Sequence, residues 1–431
     1  MVKGTGKIND IVLLIMCYAF YLFFDVRGLF ILIAVSVFSY MGGRLIYDCH
    51  RAGDRTKAGM FFGMFSAALI GLLCYFKYAA RLPLPVGISF YTLMAISFLA
   101  DCVRKEFDRF PGLMEVMIYV SFFPTILSGP ITKAKDFIPQ ISSRIKLDKD
   151  RFTKAAWLIA TGLFMKLCMA DRLAVSVDRV YSTPNVYSGM TLFMTSVSYS
   201  LQLLFDFAGY SNMAVGAATL LGFDIPVNFN LPYMATNPSE FWNRWHISLS
   251  SWLKDYVYIP LGGNRKGKTR TYINILLVMI ISGLWHGSTI NFLIWGLLHG
   301  LGQMVHRALC GKRKDAKTSS GLRILSMIMN FLFVDLLWIP FRVSTPSAAW
   351  TVISRIFTLA DGVSYYYVYT FIFGALLLIV QLIGARRSGG NDPLKPLPFD
   401  RLHNRVIFCI LVIATAMFAY FGSGAFIYSG F

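Results

Sequence analysis

Two histidines carry the reactive possibilities of this sequence. His286 sits in Trp285-His286-Gly287-Ser288, inside a run from Thr271 to His306 that contains no Asp, Glu, Lys or Arg. A neutral imidazole accepts a proton from a hydroxyl. In a half-dry cavity it can therefore activate an alcohol for attack on an acyl thioester, a reaction that needs no metal. A lone histidine in an apolar stretch is also a common hydrogen-bonded packing residue, and that reading stands beside the first. Polar groups at membrane depth are nevertheless functional candidates by default. His299 follows thirteen residues later, about 220° around a continuous helix, and reads as packing.

His246 closes the polar, aromatic-rich stretch Asn237-Pro238-Ser239-Glu240-Phe241-Trp242-Asn243-Arg244-Trp245-His246. Asn237 suits a helix N-cap, Pro238 the first helical position, and Glu240 the third, from which a carboxylate reaches back to the cap. As one continuous helix, the segment puts Asn243, His246, Ser250 and Lys254 within about 80° of one another, with Trp245, Leu249, Trp252 and Tyr256 opposite. That pattern fits a wet, hydrogen-bonding face, or an interfacial helix whose tryptophans sit at headgroup level. Asp206 interrupts another apolar stretch; an unpaired carboxylate there is costly, and Arg244 is its expected partner in a structural ion pair. Gly262-Gly263-Asn264-Arg265-Lys266-Gly267-Lys268-Thr269 fits the P-loop pattern and follows the strand-like Tyr256-Val257-Tyr258-Ile259. No series of alternating strands and amphipathic helices exists to build a nucleotide-binding sheet. Arg265, Lys266 and Lys268 are therefore read as a positively charged loop that could meet the phosphates of an acyl donor.

Membrane helices must position these residues. Hydrophobic residues make up 56% of the 431 and charged residues 15%, against about 25% charged in ordinary globular chains. So little charge cannot coat a water-facing surface, and the same figures exclude disulfide scaffolds, collagenous chains and disordered chains. The net charge of +19 lies mostly in loops between apolar runs, so it reads as topogenic rather than as a nucleic-acid surface. Seven cysteines, with no Cys-x-x-Cys pair, give neither a disulfide framework nor a zinc site. The first run, Ile11 to Phe24, lacks a small-residue cleavage pattern and is expected to be a retained span. Counting the apolar runs predicts an all-α polytopic membrane protein with about 11 membrane segments. Some must be broken or re-entrant. Thr271 to His306 is 36 residues, about 54 Å as one helix against a hydrocarbon core of about 30 Å, so it must turn, most naturally at Trp285 to Ser288. Pro83-Leu84-Pro85 and Pro124…Gly129-Pro130 imply further breaks.

Several ordered motifs resemble the membrane-bound O-acyltransferase family. They are Phe205-Asp206-Phe207-Ala208-Gly209-Tyr210-Ser211, Asn228-Phe229-Asn230-Leu231-Pro232-Tyr233 and the run Phe241 to Leu253. Tyr258-Ile259-Pro260-Leu261-Gly262-Gly263-Asn264-Arg265 and Trp285-His286-Gly287…Trp295-Gly296-Leu297-Leu298-His299-Gly300 are similar to the branch with alginate O-acetyltransferase and peptidoglycan O-acetylating membrane proteins. Pro85 to Tyr91 and Phe122 to Ile131 fit as well. The resemblance spans about 85–306, with peripheral helices at 1–84 and 307–431, and treats the chain as a single transmembrane acyltransferase domain.

The resemblance implies His286 as the catalytic histidine and His246 as a second functional histidine near a central reaction tunnel. Asn243, Ser250, Trp285, Asp206 and Arg244 are the expected binding or positioning residues. Alginate-type enzymes usually carry arginine where this chain has Asn243. The implied donor is a cytoplasmic acyl thioester, acetyl-CoA or an acyl carrier protein, with no bound cofactor. The implied acceptor is a hydroxyl of a cell-surface or exported polysaccharide, reached directly or through an extracytoplasmic partner, in a bacterial inner membrane and among its lipids. Teichoic acid D-alanyl transferases share the Trp-Asn-Arg-Trp-His motif. A lipid-linked sugar transporter, or a scaffold for an extracytoplasmic transferase, are the readings from other classes.

Overall fold

The computed structural model describes residues 5–80, 82–310, 319–388 and 397–422. The chain divides into two compact units, one built from Met1–Ala156 and Met213–Pro226, the other from Trp157–Asn212 and Val227–Ile427. Among the described residues regular structure is helical, with a single isolated bridge between Tyr187 and Val363. The all-helical expectation holds.

The first unit opens with α1 (Thr5–Phe24), α2 (Val26–Arg51), α3 (Arg55–Cys74) and α4 (Ile88–Arg104). Aspartates start α2 and α3: Asp25 accepts from the Gly28 amide and Asp54 from the Lys57 amide, each satisfying an amide that the helix cannot. Small residues set the packing of these helices. A Cβ on Gly42 would lie 2.5 Å from the Phe65 ring, and one on Gly43 2.5 Å from the Phe98 ring. The expected breaks occur. α3 runs into a π-turn and stops before Pro83 and Pro85. α4 begins only after Gly87, whose φ of 74° puts it in the left-handed region, with the Ile126 carbonyl where a Cβ would go. α5 (Leu113–Ser121) ends at Phe122, and α6 (Phe123–Ile126) resumes with Pro124 in its first turn. α7 (Ala134–Ser142) follows, and then α8 (Lys149–Phe164) begins.

The second unit contains a π-turn over Met165–Ala170, then α9 (Asp171–Ser182) and α10 (Gly189–Leu220) as far as Asn212, its last residues being counted with the first unit. α10 differs from expectation: Asp206 does not split it, and the helix runs on for 32 residues, about 48 Å. After the short α11 (Pro238–Trp242) and α12 (Ile247–Leu253) come α13 (Gly267–His286) and α14 (Ile290–Cys310). The long uncharged run therefore does turn, at His286 to Thr289. Glycines let the two arms touch: Cβ atoms on Gly283 and Gly296 would sit 2.2 Å from the Phe292 carbonyl oxygen and 2.4 Å from that of Met279. α15 (Ser320–Arg342), α16 (Pro346–Phe357), α17 (Val368–Ser388) and α18 (Leu402–Phe418) complete the unit.

Among the described residues, four helices are long and apolar enough to cross a membrane: Gly6–Phe24, Val26–Arg51, Arg55–Ala79 and Ser320–Arg342. The protein is an integral membrane protein with several spans.

Candidate active site

The segment around His246 is not one amphipathic helix. Asn237 caps α11 as expected, accepting from the Glu240 amide at 2.8 Å, but the Glu240 carboxylate reaches one residue beyond the cap, to the Thr236 amide and hydroxyl. α11 stops at Trp242, the chain turns, and His246 adopts φ 45° and ψ 51° before α12 starts. A left-handed histidine cannot lie inside a right-handed helix, and such strain persists only where neighbours hold it. Here they do. The Asn230 amide donates to the Arg244 carbonyl, and the Ile247 amide to the Asn228 carbonyl. The Asn228 side chain accepts from the Ser248 hydroxyl at 2.6 Å and donates to Ser211 on α10 at 3.1 Å. The turn is thus tied to the Asn228-Phe229-Asn230 strip instead of to its own next helical turn.

This break undoes the expected polar face. Asn243 is exposed, His246 is fully buried, and Ser250 donates to the Trp245 carbonyl at 3.5 Å. Trp245, Leu249 and Trp252, expected opposite, are buried too. Arg244 does not reach Asp206. It pairs with Glu240, four residues back, at 2.9 Å, and donates to the Asn230 carbonyl. Asp206 instead meets Lys166 at 2.7 Å, and the same ammonium lies 2.8 Å from Asp171. Lys166 lies in the π-turn between α8 and α9. Gly209, one turn past Asp206, lets α10 approach that region, since a Cβ there would lie 2.8 Å from the Gly162 carbonyl.

His286 is the last residue of α13, and it is buried in an aromatic cage. Its ring lies 4.9 Å from Trp285, 5.1 Å from Trp295 on α14 and 5.4 Å from Phe341 on α15, centre to centre. The His246 ring is 6.3 Å away; it meets Phe207 edge-on at 4.7 Å and Trp285 at 6.0 Å. Three of the predicted site residues, His286, His246 and Trp285, are therefore brought together, with Asp206 one residue from Phe207. Two imidazoles at this spacing can serve one small reacting group, one taking a hydroxyl proton while the other meets the carbonyl oxygen. The aromatic walls exclude water and so strengthen both interactions.

His299 joins the same cluster by a route the sequence did not offer. The chain reversal at Gly287 discards the 220° offset of a continuous helix, and His299 lies 4.9 Å from Trp295, the ring that also contacts His286. Trp242 donates its indole N–H to His299 Nδ1 at 3.4 Å. That bond assigns the His299 proton to Nε2.

Arg265, Lys266 and Lys268 are exposed at the opposite end of α13. His286 follows Lys268 by eighteen positions, about 27 Å of helix. Of the strand-like Tyr256 to Ile259, Tyr256 to Tyr258 lie in a π-turn over Lys254–Tyr258 that Ile259 caps, and Asn274 pins the loop beyond it by donating to the Gly263 carbonyl at 2.9 Å. A buried carboxylate also escaped the sequence reading: Asp335 on α15 accepts from Ser196 and Ser200 of α10 at 2.6 and 2.5 Å. Its signal was present, because Asp335 is the lone acidic residue in Ile324 to Phe341. Among the described residues no group of three or more His, Cys, Asp or Glu side chains could hold a metal ion.

Comparison with known proteins supplies the wider frame. The family description MBOAT, membrane-bound O-acyltransferase family, matches residues 15–341. The "probable alginate O-acetylase AlgI" of Pseudomonas aeruginosa is 34% identical over 374 residues, covering 82% of this chain and 70% of that protein. The peptidoglycan O-acetyltransferase of Helicobacter pylori is 33% identical, covering 80% of this chain and 73% of that one. The teichoic acid D-alanyltransferase of Streptococcus thermophilus is 33% identical, but over 53% of this chain and 58% of its own. With a match over most of its length that includes the histidine pair, this chain belongs to the membrane-bound O-acyltransferase family and is an O-acyltransferase.

Proposed function

We propose that this protein takes an acyl group, in the first instance acetyl, from a cytoplasmic acyl thioester and moves it towards hydroxyls of a cell-surface or exported polysaccharide. It does so directly or through an extracytoplasmic partner, as one catalytic domain of about 11 membrane segments in a bacterial inner membrane. The observation that carries the reading is the buried His246–His286 pair at the turn between α13 and α14. His286 takes the proton of the attacking hydroxyl, on the acceptor or on a partner's serine, and the thioester carbon is attacked. His246 donates to the carbonyl oxygen as charge builds there. The thiol leaves with the proton. A thioester is already an activated acyl group, so the scheme invokes no bound cofactor. Asn243, exposed on the turn, and Ser250, bonded to Trp245, leave the orienting role to His246 and the Trp285 ring.

The donor side follows from the exposed basic end of α13. Arg265, Lys266 and Lys268 contact donor phosphates while the thioester reaches His286, which suits the long flexible arm of acyl-CoA or an acyl carrier protein. The loop then faces the cytoplasm. A cysteine at Thr269, in a background with its exposed native cysteines replaced, is expected to react with an impermeant thiol reagent only after the inner face is opened. Labelling from outside intact cells would invert the topology and remove the donor contact.

The acceptor is tested by mass spectrometry of envelope glycans from cells with and without the protein. Loss of O-acetyl esters from one polysaccharide supports the reading. Loss of D-alanyl esters points to teichoic acid instead. A transporter would show neither transfer nor hydrolysis of a labelled acyl thioester by the purified protein.

A further inference from the structure

The second unit has a cavity away from the histidine pair, of about 470 Å³, within the range of about 300–1,000 Å³ usual for small-ligand sites. Its wall is dominated by Arg172, Tyr365, Tyr366, Tyr367, Tyr369 and Tyr420, and it includes no acidic residue. We propose that this cavity binds an anionic segment of the acceptor saccharide, its sugar rings lying on tyrosine faces and its carboxylate on Arg172. The inference rests on the polysaccharide reading above and names where that chain is held.

The chemistry of the wall favours this occupant. The C–H face of a pyranose carries slight positive charge and matches the negative face of an aromatic ring, while phenol hydroxyls meet the sugar's own hydroxyls. The wall is also preorganised. Tyr367 is fixed by its hydroxyl, which donates to the Thr191 carbonyl at 2.9 Å and lies 2.6 Å from the Thr195 hydroxyl. Its ring lies 5.3 Å from Tyr365. Arg172 stacks over Tyr369 at 5.6 Å and is steadied by the Phe418 carbonyl, which accepts from Nε and Nη2 at 3.2 and 2.9 Å. With a third N–H directed to the Tyr369 hydroxyl, two of the five guanidinium N–H groups are left for a ligand carboxylate. Tyr366 lines the cavity and is 90% exposed, so its ring face is accessible to a ligand.

Location agrees. Asn291, five residues past His286, donates to the Val343 carbonyl at 2.6 Å, and Arg342 pairs with Asp178 on α9, the helix that carries Arg172. The cavity therefore lies at the end of the unit where α13 terminates in His286, opposite the ends that bear Lys268, Arg270 and Arg307. By the distribution of basic residues that is the extracytoplasmic end, where an exported glycan would be met.

The test uses the full chain in nanodiscs, probed by equilibrium binding of an unacetylated hexuronic acid oligomer, with a neutral glucose oligomer and phosphatidylglycerol nanodiscs as comparators. Donor thioester hydrolysis is measured on the same preparations. Wild type is expected to prefer the hexuronate oligomer, and Tyr366→Ala to weaken that binding roughly 3- to 10-fold, the worth of one aromatic contact, with thioester hydrolysis unchanged. Arg172→Gln is expected to remove the preference over the neutral oligomer. Unaltered hexuronate affinity in Tyr366→Ala, or a ring that responds only to phosphatidylglycerol, overturns the proposal and leaves Tyr366 as an interfacial anchor. If wild type binds the oligomer through these residues but acylates no polysaccharide in cells, the binding site stands and the acceptor reading falls.

Discussion

His286→Gln is expected to abolish acyl transfer, with a loss of about 10²- to 10⁴-fold that corresponds to removing a general base. Glutamine retains hydrogen-bonding capacity, yet an amide has no proton affinity near neutral pH, so it cannot take a hydroxyl proton. The bulk it leaves also matters, because the ring is wedged between Trp295 and Phe341. Alanine would open a hole there and mix a packing cost into the kinetics. His246→Gln is the informative partner. An orienting donor is partly replaced by an amide, so measurable activity is expected to remain, though lower than wild type because the amide N–H sits differently from the imidazole N–H; the left-handed backbone at this position costs histidine and glutamine alike and does not separate them. Both variants are compared by transfer from a labelled acyl thioester at matched protein amount and matched thermal midpoint. If His286→Gln is active and His246→Gln dead, the base is His246 and the assignment of roles is reversed.

What the sequence made legible was set by periodicity and by caps. The break after His286 follows from a length argument, and Asn237-Pro238 announced α11, because both rest on local geometry. The interior of the motif was opaque for a physical reason. Residues 237–254 read as a helix by pattern, but backbone bonds from Asn228 and Asn230, far back in sequence, capture the turn and force His246 through a left-handed conformation. Long-range pairings of this kind leave no periodic trace. The same holds for charge. Arg244 looked like the natural partner of Asp206 since both are charges in apolar surroundings, whereas an i,i+4 glutamate was nearer to hand. Lys166, the real partner, lies 40 residues away in sequence at a π-turn. Its mark in the sequence was a lysine within an otherwise apolar run, the feature that also betrayed Asp335 only in retrospect.

Lys166→Met is expected to be among the most destabilising single changes in the protein, by about 3–5 kcal/mol, because it leaves Asp206 and Asp171 buried without their shared cation. The readout is the thermal midpoint in detergent together with the yield of monodisperse protein. Neutralising the survivors reverses the logic: Lys166→Met with Asp206→Asn and Asp171→Asn removes the stranded charges and is expected to recover most of the loss, since a well-packed neutral set is often as stable as a buried ion pair. The same variants decide what Asp206 does. It neighbours Phe207, whose ring meets His246 edge-on at 4.7 Å, so the ion pair fixes the rotation of α10 and, through Phe207, the placement of His246. If that is its whole role, the neutral triple variant, once folded, transfers acyl groups at a rate within a few-fold of wild type, because the helix is still held in place. A folded triple variant with normal thermal midpoint and no transfer would instead assign a charge of this triad to the chemistry itself, and restoring Lys166 and Asp206 together while keeping Asp171→Asn would show whether the Lys166–Asp206 pair carries it.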